Sequence, residues 1–377
     1  QKMKHFLVHD FALPGPHLIV NTSGSLGINY GMVADNLPTP AKVVSIIQSI
    51  NISKARLYDA NQLVLSTFRN TDISFVVAVA NEDLGSLSTT KGSLSWIQEN
   101  ILPYYPATNI IGIVVGNEIF SGTDTTQMSQ VLPGMMNIYN VLSSLGLEKK
   151  INVSTAHSFA VLSSSYPPSS GAFNPTIADT YIRPILHFLA QTGAPFMINA
   201  YPFFAYKADP TTISLAYVLF ESNPGVLDPN SGLRYYNMFD AQLDSVYYAI
   251  AALGYQNLSL EVSETGWPSA GDTDEVGASI QNAQTYHNNL FQHLQSNAGT
   301  PLKPNKTMNV YIFALFNEDL KPGPTSERNY GLFYPDGTKV FNFSFKQTIS
   351  SSGSLKRHWN LKLGYLLVVA CLCLSLQ

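Results

Sequence analysis

The stretch NIIGIVVGNE, residues 109–118, places an almost unbroken apolar run directly before an asparagine and a glutamate. Continuous Ile and Val residues are typical of a strand that is buried on both faces of a parallel sheet. The run ends at once in Glu118, so this carboxylate is predicted to lie where a buried strand stops. Glu264 follows a second strand-like run in the same way, within residues 257–267.

Strand-like apolar runs recur along the chain at spacings that suit βα units. Segments with helical patterns lie between them, and no Ser/Gly-rich linker interrupts the series. Eight strands alternating with helices over roughly 320 residues predict an α/β fold, a single (β/α)8 TIM barrel. The predicted strands are residues 26–31, 54–60, 74–80, 109–118, 150–157, 195–203, 257–267 and 308–319. The predicted helices are residues 39–50, 92–102, 126–145, 178–192, 236–253 and 277–297.

The competing architecture is a doubly wound open sheet, a common fold of nucleotide-binding proteins. No strand is followed by a G-x-G-x-x-G or G-x-x-x-x-G-K-[ST] loop, so we favour the closed barrel. The longest connection, residues 204–256, is predicted to hold a small excursion beyond the sixth strand.

The composition gives no indication of a nucleic-acid-binding or metal-rich protein. Of 377 residues, 45% are hydrophobic and 12% are charged, and the net charge is −4. The chain has no long basic run and no zinc-type spacing of Cys and His, and its two cysteines, Cys371 and Cys373, lie near the carboxyl end. We therefore expect no nucleic-acid partner, no metal and no cofactor.

Both ends of the chain carry segments that we assign outside a catalytic barrel of residues 26–345. Residues 1–25 have a basic start but an interrupted apolar stretch, and we interpret them as an incomplete or misassigned leader. Residues 346–354 form a Ser-rich stalk that includes Ser350–Gly353, and residues 355–377 join a basic spacer to an apolar tail. This order matches a glycosylphosphatidylinositol (GPI) attachment signal that is removed on maturation. A buried terminal helix and a tail anchor are the alternatives, but the tail is short for a membrane span of about 20 residues.

Six N-x-S/T sequons are present in the sequence. For a chain this rich in Asn, Ser and Thr the number is close to chance, so the number alone says little about secretion. The sequons are Asn21, Asn51, Asn152, Asn257, Asn305 and Asn342.

The chemistry is predicted at the carboxyl ends of the strands, because these ends form the active face of such a barrel. Two carboxylates on one rim suit glycoside hydrolysis, in which a protonated acid assists the leaving oxygen and an ionised carboxylate attacks the anomeric carbon. A separation of about 5 Å would retain the anomeric configuration, and one of about 6.5–9.5 Å would invert it. The sequence leaves that choice open. For either glutamate taken alone, a structural pairing with Lys or Arg is an equal alternative.

A set of motifs carries a resemblance to a known family. The motifs occur in order across residues 26–345: GINYG, RLYDA, VVGNE, VSETGWPS, FALFNEDLKPG and ERNYGLFYPDG. Together they resemble the plant β-1,3-glucanases of glycoside hydrolase family 17, and the SETGWPS signature is highly specific. The resemblance implies a (β/α)8 barrel of clan A, whose acid ends strand four and whose nucleophile ends strand seven.

The resemblance also assigns roles to particular residues of this chain. It implies that Glu118 is the acid/base, that Glu264 is the nucleophile and that Asn117 binds the sugar 2-hydroxyl. From spacing alone, Glu318 and Lys321 could equally form a surface pair. The supporting residues that it implies, which fix charge and bind sugar, are Glu318, Lys321 and Glu327.

Aromatic rings on the rim are further candidates for substrate binding, because Tyr and Trp faces stack on the apolar faces of sugars. Each ring alone could equally be a core residue, and Tyr201 stands out because in this clan a tyrosine after strand six neighbours the nucleophile. Arg56 and Asp59 are expected to form a structural ion pair or to orient Glu264. Glu261 is expected on the opposite side of the strand from Glu264, in a structural role. The candidate rings are Tyr30, Tyr201, Phe204, Trp267 and Tyr330.

The expected function is endo-acting, retaining hydrolysis of a callose-type β-1,3-glucan by a monomer held through a GPI anchor at the plasma membrane or cell wall. Transfer of the glycosyl unit to another sugar, and cleavage of mixed-linkage glucan, use the same two glutamates and remain alternatives. A non-catalytic glucan-binding protein is the alternative from another class, and a binder has no need of both carboxylates.

Overall fold

The computed structural model describes residues 24–345. Eight of their strands are parallel and close into a barrel. Around the barrel the strands follow the order β1-β8-β7-β6-β5-β4-β3-β2, and β2 pairs with β1. This confirms the predicted (β/α)8 fold. The strands are β1 (Leu26–Asn29), β2 (Lys54–Arg56), β3 (Ser74–Val79), β4 (Asn109–Asn117), β5 (Asn152–Ser158), β6 (Phe196–Asn199), β7 (Leu260–Thr265) and β8 (Val310–Ile312).

Helices surround the barrel, and each of the six predicted helices has a counterpart among them. Their start signals follow ordinary capping chemistry: α1 begins at a proline, and the Asp124 side chain accepts hydrogen bonds from the first amides of α4. The helix predicted over residues 178–192 is less regular, because a π-helical turn at Ala178–Ile182 precedes α6. The helices are α1 (Pro40–Ser49), α2 (Gln62–Thr67), α3 (Thr90–Asn100), α4 (Thr125–Ser144), α5 (Pro175–Ile177), α6 (Arg183–Thr192), α7 (Pro202–Ala208), α8 (Leu215–Val218), α9 (Met238–Ala252) and α10 (Ile280–Ser296).

The apolar core has two parts, because successive strand residues point to opposite faces of the sheet. In β3, Phe75, Val77 and Val79 belong to the large cluster between the strands and the helices. The alternate residues of β3 belong to a smaller cluster inside the barrel. Side chains thus fill both faces of the strands, which explains their nearly continuous apolar sequence. The smaller cluster contains Val76, Ala78, Val114, Ala156, Met197 and Tyr311.

The predicted excursion after the sixth strand is present and contains α7, α8 and a small antiparallel sheet. That sheet pairs Val226–Leu227 with Arg234–Tyr235 before α9 begins. A second small sheet, Leu162–Ser164 with Ala172–Phe173, follows β5. Both connections start at the carboxyl ends of their strands, so they build up one side of the face that carries the polar strand ends.

The interpretations of the chain ends fall almost entirely on residues outside 24–345, namely the leader, the stalk and the attachment signal. Among the residues that the structure describes, no helix combines the length and the apolar character needed to cross a membrane.

Candidate active site

A cleft of about 600 Å³ opens at the carboxyl ends of the barrel strands. Glu118, which follows β4, and Glu264, in β7, both line it. In the barrel order, β5 and β6 separate these strands on one side, and β8, β1, β2 and β3 separate them on the other. The two carboxylates therefore reach the cleft from different parts of the barrel, as predicted from the strand ends.

Glu264 is 6% exposed and is held by three donors. Its Oε1 accepts hydrogen bonds from Arg56 Nη1 at 2.9 Å and from Tyr58 Oη at 2.8 Å. Its Oε2 accepts one from Tyr201 Oη at 2.7 Å. Burial raises the pKa of both tyrosines well above the ordinary value, so they remain donors. The carboxylate is thus fixed in one orientation with its charge balanced by Arg56.

Glu118 lies at a sharp turn that directly follows β4. Its φ is 57° and its ψ is 25°, in the left-handed region that non-glycine residues rarely adopt. The turn is held because the Glu118 amide donates to the carbonyl of Ala156 in β5 at 2.8 Å. Asn199 Nδ2 donates to Glu118 Oε1 at 2.9 Å. An unusual backbone geometry held in this way at a cleft wall points to a functional position.

The environment of Glu118 favours the protonated acid. Burial, followed by the repulsion of the Glu264 carboxylate, raises its pKa. The hydrogen bond from Asn199 lowers the pKa without reversing the rise. The two carboxyl groups therefore differ in environment: Glu264 pairs with a buried cation, whereas Glu118 is partly desolvated beside a negative charge.

Asn117 directly precedes Glu118, shares Arg56 with Glu264 and is fixed by its neighbours. Its Oδ1 accepts a hydrogen bond from Arg56 Nη2 at 2.8 Å, and Asn81 bonds both its backbone amide and its carbonyl at 2.8 and 3.0 Å. Its Nδ2 makes no hydrogen bond to another residue in the described range 24–345. Since Nδ2 is a donor on a residue that lines the cleft, it is available to a substrate hydroxyl.

The segment after β8 supplies charged groups to the opposite cleft wall. Glu318 is buried, its Oε1 accepts a hydrogen bond from Val33 N at 2.8 Å, and burial raises its pKa. Lys321 Nζ lies 3.5 Å from Glu327 Oε2 and 4.0 Å from the centre of the Phe313 ring. Glu318 and Lys321 therefore do not form the surface pair that their spacing allowed, and all three charged residues line the cleft.

Three of the five aromatic candidates line the cleft: Tyr201, Phe204 and Tyr330. The predictions for Trp267 and Tyr30 as cleft platforms were wrong. Trp267 is fully buried, its Nε1 donates to the carbonyl of Gly277 at 2.9 Å, and its ring packs on Phe203. Tyr30 is 1% exposed and packs on Phe316, so neither ring presents a face to a sugar.

Tyr58 is a cleft residue that was not among the predicted ones, although the motif RLYDA places it directly after β2 and close to Arg56. Of the two possibilities for Arg56, the structure has the pairing with Glu264, while Asp59 accepts a hydrogen bond from the Asn61 amide instead. Glu261 lies outside the cleft lining and accepts a hydrogen bond from Asn309 at 3.0 Å. The pairing register of β7 shifts before Glu264, so simple alternation does not decide the direction of either glutamate.

A buried carboxylate joins the loops that form one side of the cleft. Glu275, in the loop after β7, accepts hydrogen bonds from Ser326 N at 2.9 Å, from Asp272 N at 3.0 Å and from Lys207 Nζ at 3.0 Å. Lys207 belongs to α7, and Ser326 directly precedes Glu327. The loops after β6, β7 and β8 are therefore tied together behind the cleft wall.

Comparison with known proteins fits this geometry. Residues 26–345 match the model of the glycosyl hydrolases family 17. The chain belongs to this family. Glucan endo-1,3-beta-glucosidase 11 of Arabidopsis thaliana is 49% identical to it over 330 residues, which cover 87% of this chain and 77% of that protein.

Solved structures of similar sequence have the same fold. A structure of CJP38, described as a β-1,3-glucanase and allergen of Cryptomeria japonica pollen, matches with a TM-score of 0.82 at 42% identity, covering 86% of this chain and 100% of that one. Another, from work on two plant β-glucan endohydrolases with distinct substrate specificities, matches with a TM-score of 0.78 at 36% identity, covering 85% and 100%. The motifs that indicated family 17 therefore lie on the fold that solved proteins of similar sequence adopt.

Proposed function

We propose that this family 17 protein is an endo-acting, retaining hydrolase of β-1,3-glucan. The observation that carries the proposal is the contrast between two glutamates in one cleft: Glu118 has a raised pKa, and Glu264 is paired with Arg56. The names of the similar plant proteins, which are glucan endo-1,3-β-glucosidases or β-1,3-glucanases, support the choice of substrate.

In the first step, Glu264 attacks the anomeric carbon while Glu118 donates its proton to the glycosidic oxygen. The bond from the anomeric carbon to that oxygen breaks, and an ester to Glu264 forms. Asn117 Nδ2 donates to the 2-hydroxyl of the same sugar, a contact that strengthens in the transition state. Arg56, Tyr58 and Tyr201 hold the attacking carboxylate in position, so little reorganisation is needed during the step.

In the second step, Glu118 is ionised and takes a proton from a water molecule, which attacks the anomeric carbon from the side that the leaving sugar vacated. The ester breaks, and Glu264 returns as a carboxylate. Two inversions give net retention. If another sugar takes the place of water, the same residues carry out transglycosylation, so this reaction remains a second outcome of the same site.

The residues around the carboxylates suit a polysaccharide chain. Val33, after β1, and Phe159, after β5, line the cleft from opposite sides of the barrel mouth. A glucan chain that crosses the mouth contacts both sides and passes over the carboxylates with sugars on either side. Internal cleavage follows from that placement, and Phe204, 44% exposed, offers a ring face to one of the sugars.

The experiment offers linear β-1,3-glucan, mixed-linkage β-1,3/1,4-glucan and cellulose to the wild type, to Glu264→Ala and to Glu118→Gln. We expect cleavage of the β-1,3-glucan with internal products, and a loss of at least about a thousandfold in kcat for Glu264→Ala. Glu261→Gln is the matched control, because it changes a glutamate of the same strand outside the cleft lining. Full activity in Glu264→Ala would refute the mechanism. A preference for mixed-linkage glucan would contradict β-1,3-glucan as the substrate.

We also propose that the protein is a monomer held by a GPI anchor at the outer face of the plasma membrane or the cell wall. The anchor is supported by the order of three segments in the sequence. Small residues at Ser350–Gly353 are followed by a basic spacer and then by the apolar tail, residues 365–377. A phosphatidylinositol-specific phospholipase should release the protein from membranes, and the released protein should lack the apolar tail peptide. Retention on the membrane with the tail peptide still present would contradict the anchor, and a dimer mass in light scattering would contradict the monomer.

A further inference from the structure

Four N-x-S/T sequons share one face of the barrel. Three lie shortly before strands β2, β7 and β8, and the fourth begins β5. Because all the barrel strands are parallel, their amino ends meet on one face, and the active carboxylates lie at the opposite face. The number of sequons is unremarkable for this composition, but their placement is ordered relative to the cleft. The four are Asn51, Asn152, Asn257 and Asn305.

These four asparagines are available for modification. All four are exposed, and none of their side-chain amides makes a hydrogen bond to another residue within residues 24–345. Two asparagines at the strand ends of the active face differ: Asn29 and Asn199 are buried, and their side chains are bonded to the site. No proline stands in the middle position of the four sequons, so each fits the acceptor pattern.

We propose that Asn51, Asn152, Asn257 and Asn305 carry N-linked glycans when the chain passes through the secretory pathway, and that these glycans cover the face opposite the cleft. The co-substrate is an oligosaccharide carried on a lipid diphosphate. The amide nitrogen of Asn bonds to the anomeric carbon of the oligosaccharide, the bond from that carbon to the diphosphate oxygen breaks, and the amide loses one proton. A bulky, soluble coat results on the surface that takes no part in binding glucan.

This placement leaves the cleft free for a polysaccharide. Asn342 is also exposed but does not lie near the amino end of a barrel strand. Its backbone amide donates to Gln284 Oε1 of α10 at 3.2 Å. The inference does not depend on the proposed activity, because attachment of glycans is read out by mass.

The test expresses the full chain behind a cleavable leader in insect or plant cells and maps glycopeptides by mass spectrometry. We expect a glycan on each of the four asparagines, and kcat/KM on β-1,3-glucan unchanged within about twofold after enzymatic removal of the glycans. Unmodified asparagines in the secreted protein would overturn the inference. A tenfold change in kcat/KM after removal would overturn the claim that the coat lies away from the cleft.

A matched variant places a sequon on the active face. Pro38→Ser creates an acceptor at Asn36, which is exposed in the loop that follows β1, near the cleft residue Val33. Unlike the four asparagines, Asn36 donates a hydrogen bond through Nδ2, to Asp319 Oδ2 at 2.9 Å. A glycan at Asn36 should lower kcat/KM on polysaccharide at least tenfold. Pro38→Ala, which creates no acceptor, should keep the activity and so separates the effect of the glycan from that of the substitution. A fully active protein with an occupied Asn36 would show that the face of attachment does not matter and would contradict the proposal.

Discussion

Arg56 Nη1 and Glu264 Oε1 lie 2.9 Å apart in an ion pair whose side chains are 0% and 8% exposed. The same guanidinium donates to Asn117 Oδ1 at 2.8 Å and to Asn29 Oδ1 at 3.1 Å. One buried cation therefore connects the end of β7 with the ends of β4 and β1. Since breaking a buried pair by removing one partner costs about 3–5 kcal/mol, the nucleophile and the residue beside the acid are held as a unit.

Tyr201 and Tyr58 donate to different oxygens of Glu264, which gives a matched pair of variants. Tyr58 shares Oε1 with Arg56, whereas Tyr201 is the donor to Oε2 among residues 24–345. A hydrogen bond to a charged group contributes about 1.5–3 kcal/mol, so Tyr201→Phe should lower kcat/KM by about 10- to 100-fold. Tyr58→Phe should lower it less, because Arg56 remains. Steady-state kinetics on β-1,3-glucan measure both, and the reverse order would contradict the assignment.

We expect Asn199 to influence the alkaline limit of activity through Glu118. Its hydrogen bond stabilises the ionised carboxylate and so lowers the pKa of Glu118. In Asn199→Ala that pKa should rise further, so the acid stays protonated to higher pH and the alkaline limb of the kcat/KM profile should move upward. Asn109→Ala, at the amino end of β4, is the control and should leave the limb in place. A move of the limb to lower pH in Asn199→Ala would contradict the role of Glu118 as acid.

Substitution of Phe204 should affect substrate binding, whereas substitution of Trp267 should affect stability. Phe204 lines the cleft and is 44% exposed, while Trp267 is 0% exposed. Phe204→Ala should raise KM several-fold and leave the free energy of unfolding nearly unchanged. Trp267→Ala should instead lower that free energy by about 3–5 kcal/mol, because a buried aromatic side chain is removed. Urea unfolding beside steady-state kinetics distinguishes the two, and an unchanged stability in Trp267→Ala would contradict its burial.

Glu275 should make stability depend on pH in the acid range. Burial alone would raise its pKa, but hydrogen bonds from Ser326 and Asp272 and from the Lys207 ammonium lower it to about 2. A group with a depressed pKa in the folded state adds stability above its unfolded pKa, here 4.5, and loses it as pH falls toward 2.

The variant that tests this is Glu275→Gln, with Glu221→Gln as a control on an exposed glutamate. The wild type should be more stable than Glu275→Gln at neutral pH, and the difference should shrink as pH falls below about 4.5 toward 2. Unfolding curves across that range measure it. A constant difference at every pH would mean that the charge of Glu275 does not stabilise the loops.

The order of strands and the two strand-end glutamates were predictable, because both follow from local apolar patterns and from the parallel barrel. Trp267 was misplaced because a position near the rim does not decide the direction in which a ring points. β7 ends at Thr265, and the chain after it turns so that the ring packs behind the cleft wall. The prediction that Tyr30 lines the cleft was wrong for a related reason. Its position at a strand end was predicted correctly, but the direction of its ring depends on packing against Phe316.

The long-range contacts were beyond the sequence patterns. Arg56 and Glu264 are 208 positions apart, and nothing local distinguishes a pairing of Arg56 with Asp59 from one with Glu264. The Glu275 contacts likewise join three loops whose approach is set only by closure of the barrel. The short helices α2, α7 and α8 lack a strong periodic pattern over enough residues to be recognised.

The central claim is that Glu264 forms a covalent glycosyl intermediate while Glu118 serves as acid and then as base. The most direct test is the anomeric configuration of the first product. Proton NMR measures it during the initial minutes of β-1,3-glucan hydrolysis, before mutarotation. With double displacement, the β-anomer of the new reducing end should appear first. Initial release of the α-anomer would contradict it, because inversion requires direct attack by water and leaves Glu264 without its role as nucleophile.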